Sequence, residues 1–164
     1  MRVDSKKVVG RRILRFRTPA DARADAESLA ALDHEGQLRQ LGNWTLGQAL
    51  GHCAAWIGYA YEGYPAGFRL PPLPIRWIAR LMIRGFIRKP MPVGFRMRGT
   101  TDGTFGTEVL PTEIGLDRFR DQWVRLEQFP PEKPNPIFGP LEPDDWVAMH
   151  LRHAELHLSF FVPR

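Results

Sequence analysis

His153 and His157 stand four residues apart in a strongly helical C-terminal stretch, and His52 lies far earlier in an apolar helical run. Four residues is close to one helical turn, so the imidazoles of His153 and His157 leave the same face and can share one divalent metal. Such a pair also arises by chance, with carboxylates or carbonyls as its partners. His52 tips the balance: among Leu50, Cys53, Ala54, Trp56 and Ile57 it reads as buried, and a buried imidazole needs a partner. A metal shared with the other two would supply one. Three neutral nitrogens leave a coordination position open, the usual catalytic arrangement, whereas a closed structural zinc site wants a fourth protein ligand.

Other residues surround this set. Gln48, Trp56 and Tyr59 lie four before, four after and seven after His52. They share its helix face and are candidates to line a cavity or orient the imidazole, with plain core packing as the alternative. His150, one turn before His153, is a pocket residue or an alternative ligand. Cys53 follows His52 directly and points about 100° away, so it is not expected to ligate. Glu155 stands two residues after His153, not one as in the zinc-protease motif, and that rotates it by about 200° off the metal face. It reads as a solvated charge or a salt-bridge partner. His34, between Asp33 and Glu35, reads as a surface residue.

Four main helices must position these groups. The first starts at Thr18 as N-cap, with Pro19 at the first helical position and Asp21 placed for a capping box, and is expected to run to about Leu41, where Gly42 and Asn43 end it. The second is capped by Thr45, with Gln48 three residues on, and continues to Glu62 before Gly63 and Pro65. The third spans Thr112 to Phe129. The fourth begins near Pro143, with Asp144 and Asp145 against the helix dipole, and is expected to end near Phe161. The expectation is an all-α single domain over 1–164, with the metal site inside a helix bundle.

Residues 63–110 form a connection too long for a plain loop. Within it Arg76, Arg80, Arg84 and Arg88 recur every four residues among Trp77, Ile78, Leu81, Met82, Ile83 and Phe86, a short basic amphipathic helix over 75–88. Three uses are open to it: covering a pocket, packing in a homodimer, or lying on a membrane, the last not favoured. Residues 130–143 are proline-rich and expected to run extended.

The net charge of +5 concentrates in that helix and in the basic segment 1–17. No nucleic-acid motif accompanies it, so nucleic acid is not an expected partner, and solvated faces or anion contacts near a substrate entrance are. A hydrophobic fraction of 43% with five tryptophans supports a real core. The single cysteine excludes an internal disulfide. With no apolar run long enough to span a bilayer and no signal peptide, a soluble cytoplasmic protein is expected.

The ordered motifs Gly42-Asn43-Trp44-Thr45-Leu46-Gly47-Gln48-Ala49-Leu50-Gly51-His52, Phe138-Gly139-Pro140-Leu141, Trp146 and Arg152-His153-Ala154-Glu155-Leu156-His157-Leu158 resemble the DinB-like superfamily, over most of the chain from about Arg12 onward. Within it the chain looks most like a bacterial branch described as a domain of unknown function. The resemblance implies a four-helix bundle of up-down-down-up topology, a long crossover between helices two and three, and a three-histidine metal site on His52, His153 and His157. It also brings in relatives that use bacillithiol or mycothiol, with the metal activating the thiol. The leading expectation is therefore a divalent-metal-dependent enzyme, a low-molecular-weight-thiol S-transferase holding zinc or nickel and acting on a small molecule. The alternatives are a metal-dependent hydrolase and a non-catalytic metal- or small-ligand-binding bundle.

Overall fold

Side-chain caps and prolines place the helix starts in the computed structural model, which describes residues 3–87, 89–97, 100 and 103–164. Thr18 and Asp21 form a reciprocal capping box at the head of α1 (Pro19–His34). Thr45 accepts from the Gln48 amide nitrogen to start α2 (Leu46–Glu62). Helix α3 (Leu73–Phe86) lies in the long connection, α4 (Thr112–Gln128) follows it, and α5 (Pro143–Leu158) begins with a proline and two aspartates in its first turn. Arg88, together with the side chains of Arg84 and Phe86, lies outside the described residues.

The chain is mostly helical, with one small sheet that corrects the expected helix ends. Helix α1 stops at His34 rather than Leu41, because Gly36 turns the chain at a φ of 68°. The next residues form β1 (Leu38–Gln40), which pairs antiparallel with β2 (Phe161–Pro163), the stretch where α5 was expected to end. Leu38 faces Pro163 and Gln40 faces Phe161 in this register. Residues 130–143 are not simply extended either: Asn135 and Gly139 bridge each other, and the Asn135 side chain accepts from the amides of Ile137 and Phe138.

Helix α2 packs most extensively on α4 and also lies against α5, while α1 covers α4 and α5. The core runs through Leu29, Leu50, Ile57, Phe119, Trp123, Leu126, Trp146 and Leu158. Helices α2 and α4 approach through glycines. A Cβ on Gly115 would overlap the Gly47 backbone, and one on Gly47 would overlap the carbonyls of Leu110 and Pro111.

Part of the basic N-terminal segment is tied down, through Arg11, Arg12 and Phe16, while Lys6, Lys7, Arg15 and Arg17 are exposed. Arg12 grips both carboxylate oxygens of Asp25, at 2.6 and 2.8 Å, and reaches the Leu158 carbonyl. Phe16 is buried, donating its N–H to the Glu155 carboxylate at 2.6 Å and accepting from Arg152 at 2.5 Å. Arg152 and Glu155 pair at 2.9 Å with side chains only 3% and 6% exposed, so Glu155 is a buried salt-bridge partner, not a solvated charge. Removing one member would strand the other charge in the interior.

Gly115→Val should lower stability by about 2–3 kcal/mol, since the added carbons overlap backbone that cannot swing aside. Gly85→Ala, where a Cβ meets nothing within 4 Å, should be neutral or gain up to about 1 kcal/mol. Urea midpoints of the two variants check this, and equal midpoints would contradict close α2–α4 packing.

Candidate metal centre

Helix α2 carries His52 on the side turned towards α5, and α5 carries His153 and His157 one turn apart. Their ligand atoms all lie within 4.8 Å of one another. His153 Nε2 is 3.1 Å from His52 Nε2 and 3.1 Å from His157 Nε2. Among the described residues no cysteine or carboxylate joins the group.

The connection between α3 and α4 determines which nitrogen of His52 bears the proton. His52 Nδ1 lies 2.9 Å from the Phe105 carbonyl oxygen, which can only accept, so Nδ1 is the donor. Its Nε2 is then a bare lone pair aimed at His153. The Trp56 indole N–H donates to the same carbonyl at 3.3 Å, and the Gln48 amide donates to the Thr107 carbonyl at 3.0 Å. Gly106 completes this turn at a φ of 70°, and a Cβ there would press on Ala55 and the Tyr59 hydroxyl.

Protonation alone cannot satisfy the three rings. His153 Nε2 either bears a proton or a lone pair, yet it faces two other nitrogens, one of them already bare. With all three imidazoles neutral, at least one contact lacks a well-directed hydrogen bond. Charging one ring is disfavoured, because burial pushes His52 down to about 4 against the pull of the Phe105 and Gly106 backbone. His153 and His157 are also held well below the ordinary histidine value, by burial first. His157, His52 and His150 add to this at His153, and His52 and Arg11 add to it at His157. A divalent cation satisfies three converging lone pairs at once, and this donor set suits zinc, nickel, copper or iron. His157 lies in the last turn of α5, where the negative end of the helix dipole also favours a cation.

Aromatic rings enclose the nitrogens. Trp44 stacks on His157 at 5.0 Å with planes 7° apart and meets His52 edge-on at 4.8 Å. Trp56 packs edge-on against His52 and His153. Tyr59, Tyr64, Phe68 and Phe105 extend this wall away from the histidines.

The structure thus brings His52, His153 and His157 together and gives the neighbouring candidates distinct places. Trp56 lies beside the histidines, while Tyr59 lies one ring further out. Gln48 holds the backbone of the connection between α3 and α4 instead of closing a capping box or touching an imidazole. His150 is buried outside the cluster, stacked with Trp146 at 6.1 Å, and its Nε2 has no hydrogen-bond partner among the described residues. Cys53 is buried and free, and His34 is exposed. Arg76 and Arg80 belong to α3 and are not part of the histidine cluster.

Three contributors were not singled out from sequence. Trp44 appeared only within a motif, although its place just before the Thr45 cap puts it beside the first turn of α2. Arg11 bonds to Ser159 Oγ at 2.6 Å, lies 4.2 Å from the Phe160 ring centre, and places a fixed positive charge near His157. Phe105 acts through its backbone carbonyl, which no side-chain pattern announces; the glycines on either side, Gly103 and Gly106, were the available hint.

The chain belongs to the family described as "Protein of unknown function (DUF1569)", which matches residues 9–164. No curated protein and no solved structure matches it.

Burial depresses His150 to about 3 and His52 to about 4, so the unfolded chain takes up protons that the folded chain refuses. Stability is then complete above about pH 6.5 and falls as the pH drops towards the folded values. In chelator-treated protein, His150→Phe should keep the ring packing, remove one such group, and shrink the stability lost between pH 6.5 and 4 by about 2–3 kcal/mol. Urea titrations followed by circular dichroism measure this; an unchanged pH slope would mean that His150 is not buried in its neutral form.

Proposed function

We propose that His52, His153 and His157 bind one divalent metal, zinc or nickel, through Nε2, and that the protein is a metal-dependent low-molecular-weight-thiol S-transferase. The observation that carries the metal reading is the meeting of three Nε2 atoms that no neutral protonation pattern satisfies. Helices α1, α2, α4 and α5 are read as a DinB-like four-helix bundle in up-down-down-up order, and α3 as an addition to its crossover.

When bound at three imidazoles, such an ion supplies a Lewis acid that lowers the pKa of a thiol at its open position. The chain's own residues do the rest. The Phe105 carbonyl orients His52 and keeps its Nε2 free of a proton, as outer hydrogen bonds commonly do for metal-ligating histidines. Trp44 and Trp56 limit water around the nitrogens and present apolar surface to an acceptor molecule. Arg11 offers a positive charge suited to a carboxylate on the thiol.

The thiol reading ranks above the hydrolase because a metal-assisted hydrolysis calls for a nearby proton acceptor. No carboxylate among the described residues joins the cluster, and Glu155 is committed to Arg152 and Phe16. A thiol, with an ordinary pKa of about 8.5 against about 15.7 for water, would release its proton to bulk water once a bound ion lowered that value further, and so needs no protein base beside the cluster.

Elemental analysis of tag-free protein purified without chelator should find about one equivalent of a single transition metal. His52→Ala and His157→Ala should lose it. Gly106→Ala, which displaces the turn that orients His52, should weaken binding about 10–100-fold. No metal after reconstitution with zinc or nickel would overturn the site. Metal without thiol consumption against a panel of electrophiles would leave a non-catalytic binding bundle.

A further inference from the structure

Helix α3 turns its apolar side away from the protein. Trp77, Leu81 and Met82 are 68%, 74% and 63% exposed, and Leu73, Ile75 and Ile78 are exposed beside them. The opposite side holds the helix to the body of the molecule: Ile83 and Ile87 enter the core, and the Arg80 guanidinium lies against Gly139 in the 135–139 turn. Arg76 is half-buried. Sequence periodicity defines the two sides of such a helix but not which one faces water, and membrane contact was the disfavoured use.

Charge identifies what covers the outward side. From Gly63 to Thr101 the chain has Arg69, Arg76, Arg80, Arg84, Arg88, Lys89, Arg96 and Arg98, with no aspartate or glutamate. A second copy meeting this face about a two-fold axis would bring two all-cationic segments together. An anionic lipid surface instead gives the cations partners and takes up the apolar side chains at the boundary between headgroups and acyl chains. No helix among the described residues is long and apolar enough to cross a membrane, so the contact would be peripheral.

We infer that the outward face of α3 docks the protein on anionic bilayers, with Ile75, Trp77, Ile78, Leu81 and Met82 inserted and the uncompensated positive charge of segment 63–101 attracting the acidic headgroups. This rests on α3 alone and is independent of the metal reading.

The test is co-sedimentation of the full chain with vesicles of phosphatidylcholine containing about 30% phosphatidylglycerol, beside pure phosphatidylcholine vesicles. Binding should be at least tenfold stronger to the anionic vesicles and should weaken in about 0.5 M salt, which screens the charges. The Leu81→Glu/Met82→Glu variant should bind at least tenfold more weakly with its thermal unfolding unchanged, since both side chains are exposed. No binding to anionic vesicles, or equal binding by the variant, would overturn the inference. So would a dimer in analytical ultracentrifugation that Leu81→Glu splits, because the face would then be an interface between copies.

Discussion

Three imidazole nitrogens are held within reach of one another in surroundings that resist giving any of them a charge. Burial supplies that resistance, and the Phe105 carbonyl decides where His52 carries its proton. Together these leave converging nitrogens that three neutral imidazoles cannot all pair among the described residues. Buried polar groups in folded proteins are almost always satisfied, so this arrangement is the strongest constraint on any account of what the chain binds.

Much of the rest of the fold serves to keep those rings in place. The glycine contact between α2 and α4 fixes the helix that carries His52. On α5, the Arg152–Glu155 pair lies between His150 and His157 and grips both the N–H and the carbonyl of Phe16. That grip joins the N-terminal segment to the helix bearing two of the histidines. Arg11 and Arg12 extend the connection to the end of α5 through Ser159 and Leu158. A buried ion pair is a poor source of net stability, yet it is demanding about geometry. On the proposed reading, that geometry keeps the spacing of His153 and His157 from relaxing.

The helix starts were legible because capping is local: Thr18 with Asp21, Thr45, and the proline opening α5 act within one turn of chain. The histidine cluster was legible because helical spacing and an apolar neighbourhood suffice to align side chains. The strands were not. Among the described residues Leu38–Gln40 and Phe161–Pro163 pair with each other across more than a hundred residues, so Leu38–Gln40 looked like the tail of the first helix and Phe161 like the end of the last. The Phe105 carbonyl was invisible for a related reason, since a backbone oxygen has no residue-specific signature. The outward turn of α3 depended on which neighbours its isoleucines found, and periodicity alone does not contain that information.

X-ray absorption of the zinc-loaded protein tests the central claim most directly. The account predicts three imidazole nitrogens at about 2.0–2.1 Å with one further light atom, and replacement of that atom by sulfur at about 2.3 Å when a small thiol is added. Fewer than three imidazoles per zinc would contradict the convergence of His52, His153 and His157 on one ion. A closed shell that no thiol enters would contradict an open position on it.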